Sequence, residues 1–134
     1  METKGVKAAF SALNDNRVRY LVAGGLAVVA HGYLRTTQDI DLVLDLEEDN
    51  TRRALKALEE LGYNPTVRVD LFLTPPFDFE PAYGRAKRES LEPDLEITFV
   101  GLDDLIAMKR AAGRPQDQAD IEKLETIKKS LPEA

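Results

Sequence analysis

The fold of this chain is decided by residues 22–44, which read VAGGLAVVAHGYLRTTQDIDLVL. Gly24-Gly25 follows a short apolar run typical of a strand buried on both faces and precedes an alanine-containing segment that predicts a short helix. The DIDLVL segment then predicts a second strand. Because alternate residues of a strand share a face, Asp39 and Asp41 point the same way, roughly 7 Å apart at their Cα atoms. Two like charges beside an apolar core are costly unless something positive binds them, so the stretch predicts a charged site.

The rest of the chain alternates between helical and strand patterns. Besides a first helix that ends at 14–16, the patterns predict helices over 47–63, 78–91 and 102–113 and from Pro115 onward, and strands over 66–74 and 94–101. Asn50 or Thr51 is expected to cap the helix over 47–63. The element order α-β-α-β-α-β-α-β-α-α indicates one α/β or α+β domain over 1–134, with a sheet packed by helices.

Composition excludes several classes of protein. With 43% hydrophobic and 31% charged residues, the 134-residue chain is typical of a globular domain. A net charge of −6 argues against a broad electrostatic grip on nucleic acid. The absence of cysteine excludes disulfides, thiol catalysis and thiolate zinc sites. We expect no membrane span and no signal peptide, and therefore a cytoplasmic protein.

A third acidic residue, Asp70, lies inside another apolar strand pattern. Carboxylate oxygens at this spacing suit Mg²⁺, and a third acid that converged on Asp39 and Asp41 would complete a two-metal site for phosphoryl transfer. Alternatively, Asp39 is a turn residue, Asp41 is a solvent-facing strand residue, and Asp70 occupies a capped or exposed strand position. Glu96, in the last strand, is a rival for the third position.

Taken together, these residues resemble the nucleotidyltransferase superfamily typified by DNA polymerase beta: Gly-Gly after a strand, D-I-D on the next strand, and a third aspartate flanked by apolar residues. GGLAVVAHGYLRTTQDIDL with LIAMKRAAGRPQDQADIEKL is similar to small bacterial nucleotidyltransferase-like proteins related to the abortive-infection (AbiE-type) toxins. The similarity extends from Tyr20 to about Leu124. It implies a nucleotidyltransferase fold, with a mixed sheet of four to five strands.

The resemblance also implies roles for individual residues. Gly24 and Gly25 would hold a nucleoside triphosphate, Asp39 and Asp41 would ligate two Mg²⁺ ions, and Asp70 would ligate the catalytic metal and help to activate a hydroxyl. The implied reaction is in-line attack on the α-phosphate, with pyrophosphate leaving. The acceptor would be tRNA, a protein side chain or a small molecule, and the toxin relatives favour the first two.

Helical spacing places Lys109 on the apolar face of its helix. We expect it to contact phosphate, although a stem that runs along the apolar face with its amine in solvent is the alternative. In the last helix Asp117 and Asp120 share the packed face. They are expected to pair with Lys109, Arg110 or Arg114, or else to help bind the nucleotide.

Two further polar residues lie in the opening stretch. Arg35 is a candidate nucleotide ligand that could reach phosphate or pair with Asp39, and the alternative is a surface arginine. His31, the only histidine, is expected to be a packed or hydrogen-bonded core residue rather than a base.

Two departures from the resemblance affect the choice of acceptor. The segment between Tyr63 and Asp70 is short, and no helical domain follows the last helix. We therefore expect the acceptor to be held by a partner, such as a cognate antitoxin or a second subunit, or catalysis to be weak. The alternative function is a nucleotide-binding or partner-binding module, an antitoxin or scaffold, on the same fold.

Overall fold

Six helices and five strands form the part of the chain that the computed structural model describes, residues 3–34, 39–62 and 67–132. The strands are β1 (Tyr20–Ala23), β2 (Asp39–Leu44), β3 (Arg68–Phe72), β4 (Lys87–Glu92) and β5 (Leu95–Phe99). The helices are α1 (Thr3–Asp15), α2 (Gly24–Ala30), α3 (Glu48–Leu61), α4 (Phe79–Gly84), α5 (Leu102–Ala112) and α6 (Pro115–Ser130). The predicted α/β class is confirmed.

All five strands lie in one mixed sheet of order β3-β2-β1-β5-β4. Strand β1 is antiparallel to β2 and parallel to β5, and β2 is parallel to β3. The carboxyl ends of β1 and β5 therefore meet the amino ends of β2 and β3 at one edge of the sheet. The residues at the beginning of β2 and β3 and the starts of α2 and α5 are brought together there.

Strand β1 forms the centre of the hydrophobic core. Its four side chains are at most 2% exposed, which confirms the prediction of a strand buried on both faces. Helices α1 and α3 pack against each other, and so do α5 and α6. The core continues beyond β1 into α2, where Ala27 and Val28 are fully buried.

The prediction of one helix over 78–91 is wrong. Helix α4 ends at Gly84, and residues 87–92 form β4, which pairs antiparallel with β5 across a turn at Pro93-Asp94. Most of β4 is solvent-exposed, so its sequence KRESLE has no apolar alternation that would indicate a strand. Pairing with β5 supplies the backbone hydrogen bonds that decide its conformation.

The expected cap of α3 is also wrong. The helix begins at Glu48, and the side chain of Glu47 accepts hydrogen bonds from the N–H groups of Asp49 and Asn50. Asn50 is fully buried, where its amide bonds the backbone of Arg19 and the carbonyl of Asp45. Its polar side chain therefore joins α3 to the loop before β1 instead of capping the helix.

None of the helices in the described ranges is both long and apolar enough to cross a membrane.

Candidate active site

A cavity of about 700 Å³ opens at the edge of the sheet where β1 ends and β2 and β3 begin. One wall is formed by the start of β2 and by β3, and the facing wall by α5 and the beginning of α6. Gly24 and Gly25 lie between these walls. This volume lies within the range of small-molecule sites in proteins.

Three acidic side chains, here called the strand carboxylates (Asp39, Asp41 and Asp70), line the cavity. Asp41 lies directly opposite Asp70 in the parallel pairing of β2 with β3, and Asp39 is two residues earlier on the same face of β2. The structure therefore brings together the three aspartates that the sequence singled out. The rival Glu96 is on the exposed part of β5 and is not among the residues that line this cavity.

The electrostatics of Asp41 reflect this concentration of negative charge. Burial raises the pKa of Asp41 above its ordinary value, and the neighbouring charges of Asp70 and Asp39 raise it further. Lys109 and Arg114 act in the opposite direction but do not offset these effects. The site therefore favours the arrival of additional positive charge.

Residue 24 must be glycine because of its backbone conformation and because there is no room for a side chain. Its φ of +62° lies in the left-handed region, and an added Cβ would lie only 1.8 Å from Oδ2 of Asp41. The Asp41 carboxylate therefore packs directly against the backbone at the end of β1. Gly25 is buried and also lines the cavity, so both glycines lie beside the strand carboxylates.

The strand carboxylates supply only oxygen ligands, which fits Mg²⁺ better than a softer metal. Among the described residues, however, no group of three or more acidic or histidine side chains is arranged so that it could already hold a metal ion. Instead, Oδ1 of Asp70 accepts a hydrogen bond from Nε of Arg68 at 3.1 Å. The donor set suits Mg²⁺, and one of the two carboxylate oxygens of Asp70 is hydrogen-bonded to Arg68.

Four charged side chains lie between α5 and α6, here called the helix charge cluster (Lys109, Arg114, Asp117 and Asp120), and all of them except Asp120 line the facing wall of the cavity. Nζ of Lys109 lies 3.3 Å from Oδ1 of Asp117 and 3.0 Å from Oδ2 of Asp120, and both carboxylate side chains are fully buried. Nε of Arg114 donates to Oδ2 of Asp117 at 2.8 Å. The helix charge cluster therefore balances two cations against two anions.

This cluster contains the ion pairs expected from the sequence, and a role of Asp117 and Asp120 in nucleotide binding stays a prediction. The expected pairing of Asp117 and Asp120 with Lys109 is present, whereas Arg110 pairs with Glu125 on the surface. A contact between Lys109 and phosphate stays a prediction, because the amine lines the cavity but already lies between two carboxylates.

The pKa of Asp117 is shifted in the opposite direction from that of Asp41. Burial alone raises it, but hydrogen bonds from the side chain and backbone N–H of Arg114, together with the charge of Lys109, lower it below its ordinary value. Asp117 is therefore held as a carboxylate by its partners.

The remaining predictions have different outcomes. Arg35 lies outside the described residues. Nε2 of His31 lies 2.8 Å from the carbonyl oxygen of Val100, so this half-buried histidine joins α2 to the end of β5, as expected. Sequence reasoning missed Arg68, although the spacing of R-V-D in a strand pattern places Arg68 and Asp70 on one face.

Comparisons with solved structures find proteins of similar fold. The crystal structure of the lincosamide antibiotic adenylyltransferase LnuA, lincomycin-bound, is similar with a TM-score of 0.67 and 18% identity, covering 95% of this chain and 98% of that one. The structure of ANT(2")-Ia in complex with adenylyl-2"-tobramycin is similar with a TM-score of 0.58 and 13% identity, covering 96% and 97%. At these identities the likeness shows the fold alone.

No curated protein matches the chain significantly, and the relationship to AbiE-type toxins stays a prediction. The family model described as "Nucleotidyltransferase of unknown function (DUF6036)" matches residues 5–131. This chain, with its five-stranded sheet and its three converging strand carboxylates, therefore belongs to that family of nucleotidyltransferases.

Proposed function

We propose that this protein transfers a nucleoside monophosphate from a nucleoside triphosphate to a hydroxyl group, with Mg²⁺ as cofactor. The observation that carries the proposal is the placement of Asp70 directly beside Asp41, with Asp39 on the same face and Gly24 packed against Asp41. Three carboxylates and a close approach of backbone in one cavity suit a bound metal and a polyphosphate.

The strand carboxylates would hold two Mg²⁺ ions, and the backbone of Gly24 and Gly25 would face the triphosphate. When bound, the metal neutralises phosphate charge and the charge that develops in the transition state. This role agrees with the raised pKa of Asp41, because a site crowded with carboxylates gains most from a divalent cation.

In the proposed reaction, the acceptor oxygen attacks the α-phosphorus and forms a new P–O bond. The bond from that phosphorus to the oxygen bridging the α- and β-phosphates breaks, and pyrophosphate leaves. Asp70 lies on the outermost strand, where it would accept the proton of the attacking hydroxyl. The protein contributes mainly alignment and charge stabilisation, as is general for phosphoryl transfer.

We propose a small molecule as the acceptor in preference to tRNA or protein. Leu71 and Phe72, each 41% exposed, line the cavity next to Asp70, and Met108 lines it from α5. This apolar surface suits the body of a small organic acceptor, and the net charge of −6 is unfavourable for tRNA. The two structural neighbours are named for reactions on small antibiotics.

The test uses NTPs labelled at the α- or the γ-phosphate, with Mg²⁺ and separated small-molecule, tRNA and protein fractions of a bacterial extract. We expect α-label in a small-molecule product and γ-label in pyrophosphate, which distinguishes nucleotidyl transfer from a kinase reaction. Asp41→Asn should reduce the rate on the order of a hundredfold or more, because a charge that stabilises the transition state is lost.

Asp94→Asn is the matched control, since Asp94 lies in the exposed turn between β4 and β5 and should leave the rate unchanged. Transfer to the tRNA or protein fraction alone would contradict the proposed acceptor. Equal transfer by wild type and Asp41→Asn would contradict the proposed site.

One observation favours the alternative of a non-catalytic module, namely that Asp70 is already engaged by Arg68. Such a module would bind NTP in calorimetry but give no labelled product in any fraction. The cytoplasmic location, the toxin–antitoxin setting and a cognate antitoxin or second subunit stay predictions from the sequence.

A further inference from the structure

Arg68 is the cation in closest contact with the strand carboxylates in the described part of the structure. Its Nε bonds Oδ1 of Asp70 at 3.1 Å, and in the strand register it lies opposite Asp39. It also lines the cavity. The guanidinium is thus positioned beside the carboxylates that the proposed function assigns to metal.

The other two described cations of the cavity are committed elsewhere. Lys109 is held between Asp117 and Asp120, and Arg114 is paired with Asp117. The pKa of Arg68 is raised, first by its hydrogen bond to Asp70 and then by the charges of Asp70, Asp39 and Asp41. Arg68 therefore interacts electrostatically with all three strand carboxylates.

The contact between Arg68 and Asp70 is suited to exchange. The Arg68 side chain is 72% exposed and that of Asp70 is 36% exposed, in contrast to the fully buried carboxylates of the helix charge cluster. Exposed ion pairs are weak, and a divalent cation next to three carboxylates competes effectively with one solvated guanidinium.

We propose that Arg68 is a positioning residue that holds the Asp70 carboxylate in the absence of metal and is displaced from it when a divalent cation binds. This inference rests on the proposed function, because it takes Asp70 as a metal ligand. It assigns to Arg68 control over metal affinity: the ion pair competes with the metal, so the protein binds the cation less tightly than the strand carboxylates alone would allow.

The test measures Mn²⁺ binding to nucleotide-free protein from the electron paramagnetic resonance signal of free Mn²⁺. We expect Arg68→Gln to bind Mn²⁺ about 1.5- to 5-fold more tightly than wild type, the range that corresponds to an exposed ion pair. Arg68→Lys, which keeps the charge, should stay closer to wild type. The rise in melting temperature at a fixed Mn²⁺ concentration should follow the same order, and it also reports whether each variant is folded.

Arg52→Gln is the matched control. The Arg52 side chain is 71% exposed and pairs with Glu48 on α3, but it is not among the residues that line the cavity. Its substitution by glutamine removes the same charge as Arg68→Gln. Its effect on Mn²⁺ affinity should be smaller than that of Arg68→Gln. Equal effects of the two variants, or weaker binding by Arg68→Gln, would overturn the inference.

A double-mutant cycle separates contact from general charge. In an Asp70→Asn background, the effect of Arg68→Gln on Mn²⁺ affinity should shrink, since the partner that Arg68 holds is then neutral. An undiminished effect would show that Arg68 acts through its net charge and would overturn the inference.

The same experiments distinguish this inference from the proposed function. If wild type binds Mn²⁺ and transfers α-label, while Arg68→Gln and Arg52→Gln change the Mn²⁺ affinity equally, only the role of Arg68 is wrong. If neither wild type nor Arg68→Gln binds Mn²⁺, the proposed metal site is wrong as well.

Discussion

The strand carboxylates and the helix charge cluster border the same cavity, but their charges are balanced in opposite ways. The helix charge cluster places two cations against two buried anions, whereas the strand carboxylates contact one exposed arginine in the described structure. The first arrangement is complete without a ligand. The second has an excess of negative charge, as expected for a site that receives a cation.

The pKa shifts of one carboxylate from each group show this difference. The lowered pKa of Asp117 means that its ionised form stabilises the fold above its ordinary pKa, and this contribution is lost as the pH falls through the lowered value. The raised pKa of Asp41 has the opposite sign: its contribution is present at low pH and is lost as the pH rises through the raised value. At neutral pH the ionised form of Asp117 therefore stabilises the fold, whereas the ionised form of Asp41 costs stability.

The largest expected change in stability tests the helix charge cluster. Lys109→Met should lower the free energy of unfolding by about 3–5 kcal/mol, because it leaves two buried carboxylates without their shared cation. Urea denaturation measures the loss. The control is Lys128→Met, which breaks an exposed pair with Asp103 between the same two helices and should have little effect. If the two variants lose equal stability, the helix charge cluster does not have the proposed structural role.

The next largest change in stability tests the packing around the strand carboxylates. Gly24→Ala should lose about 1–3 kcal/mol more than Gly62→Ala, because both glycines have positive φ but only the Cβ at Gly24 overlaps Asp41. Nothing lies within 4 Å of a Cβ added at Gly62, so Gly62→Ala reports backbone strain without a steric clash. Thermal denaturation gives the stabilities, and the α-label assay should show loss of transfer only for Gly24→Ala. Identical behaviour of the two variants would argue against a rigid contact between Gly24 and Asp41.

The smallest expected change is a gain in stability rather than a loss. In the absence of metal, the double variant Asp39→Asn, Asp41→Asn should be as stable as wild type or more stable by up to about 1 kcal/mol, because like-charge repulsion is relieved. Asp117→Asn, by contrast, should be destabilised, since Lys109 and Arg114 lose the charge of their partner. Melting temperatures in a chelating buffer provide the comparison. A clear decrease for the double variant would indicate that Asp39 and Asp41 have a structural role instead.

Much of the fold followed from the sequence where local pattern and tertiary role agree. The apolar run before Gly24 and the alternation in D-I-D-L-V-L are local features, and the strands formed there. The prediction failed at β4 because local pattern and tertiary role differ there. This exposed edge strand has no apolar pattern of its own, and its conformation depends on pairing with β5. The cap of α3 was missed because Asn50 is used in a tertiary contact with Arg19 and Asp45.

Some features of the candidate site also follow from local sequence, whereas others depend on tertiary contacts. The sequence by itself determined that β1 ends before Gly24-Gly25 and that Asp39 and Asp41 share a face, because backbone conformation and strand periodicity depend on neighbouring residues. Only the tertiary structure decided that Asp70 lies beside Asp41, that Lys109 is held between two carboxylates, and that Arg68 bonds Asp70. These depend on strand register, helix packing and side-chain orientation, which are set by contacts between distant segments and by the charges that meet when they pack.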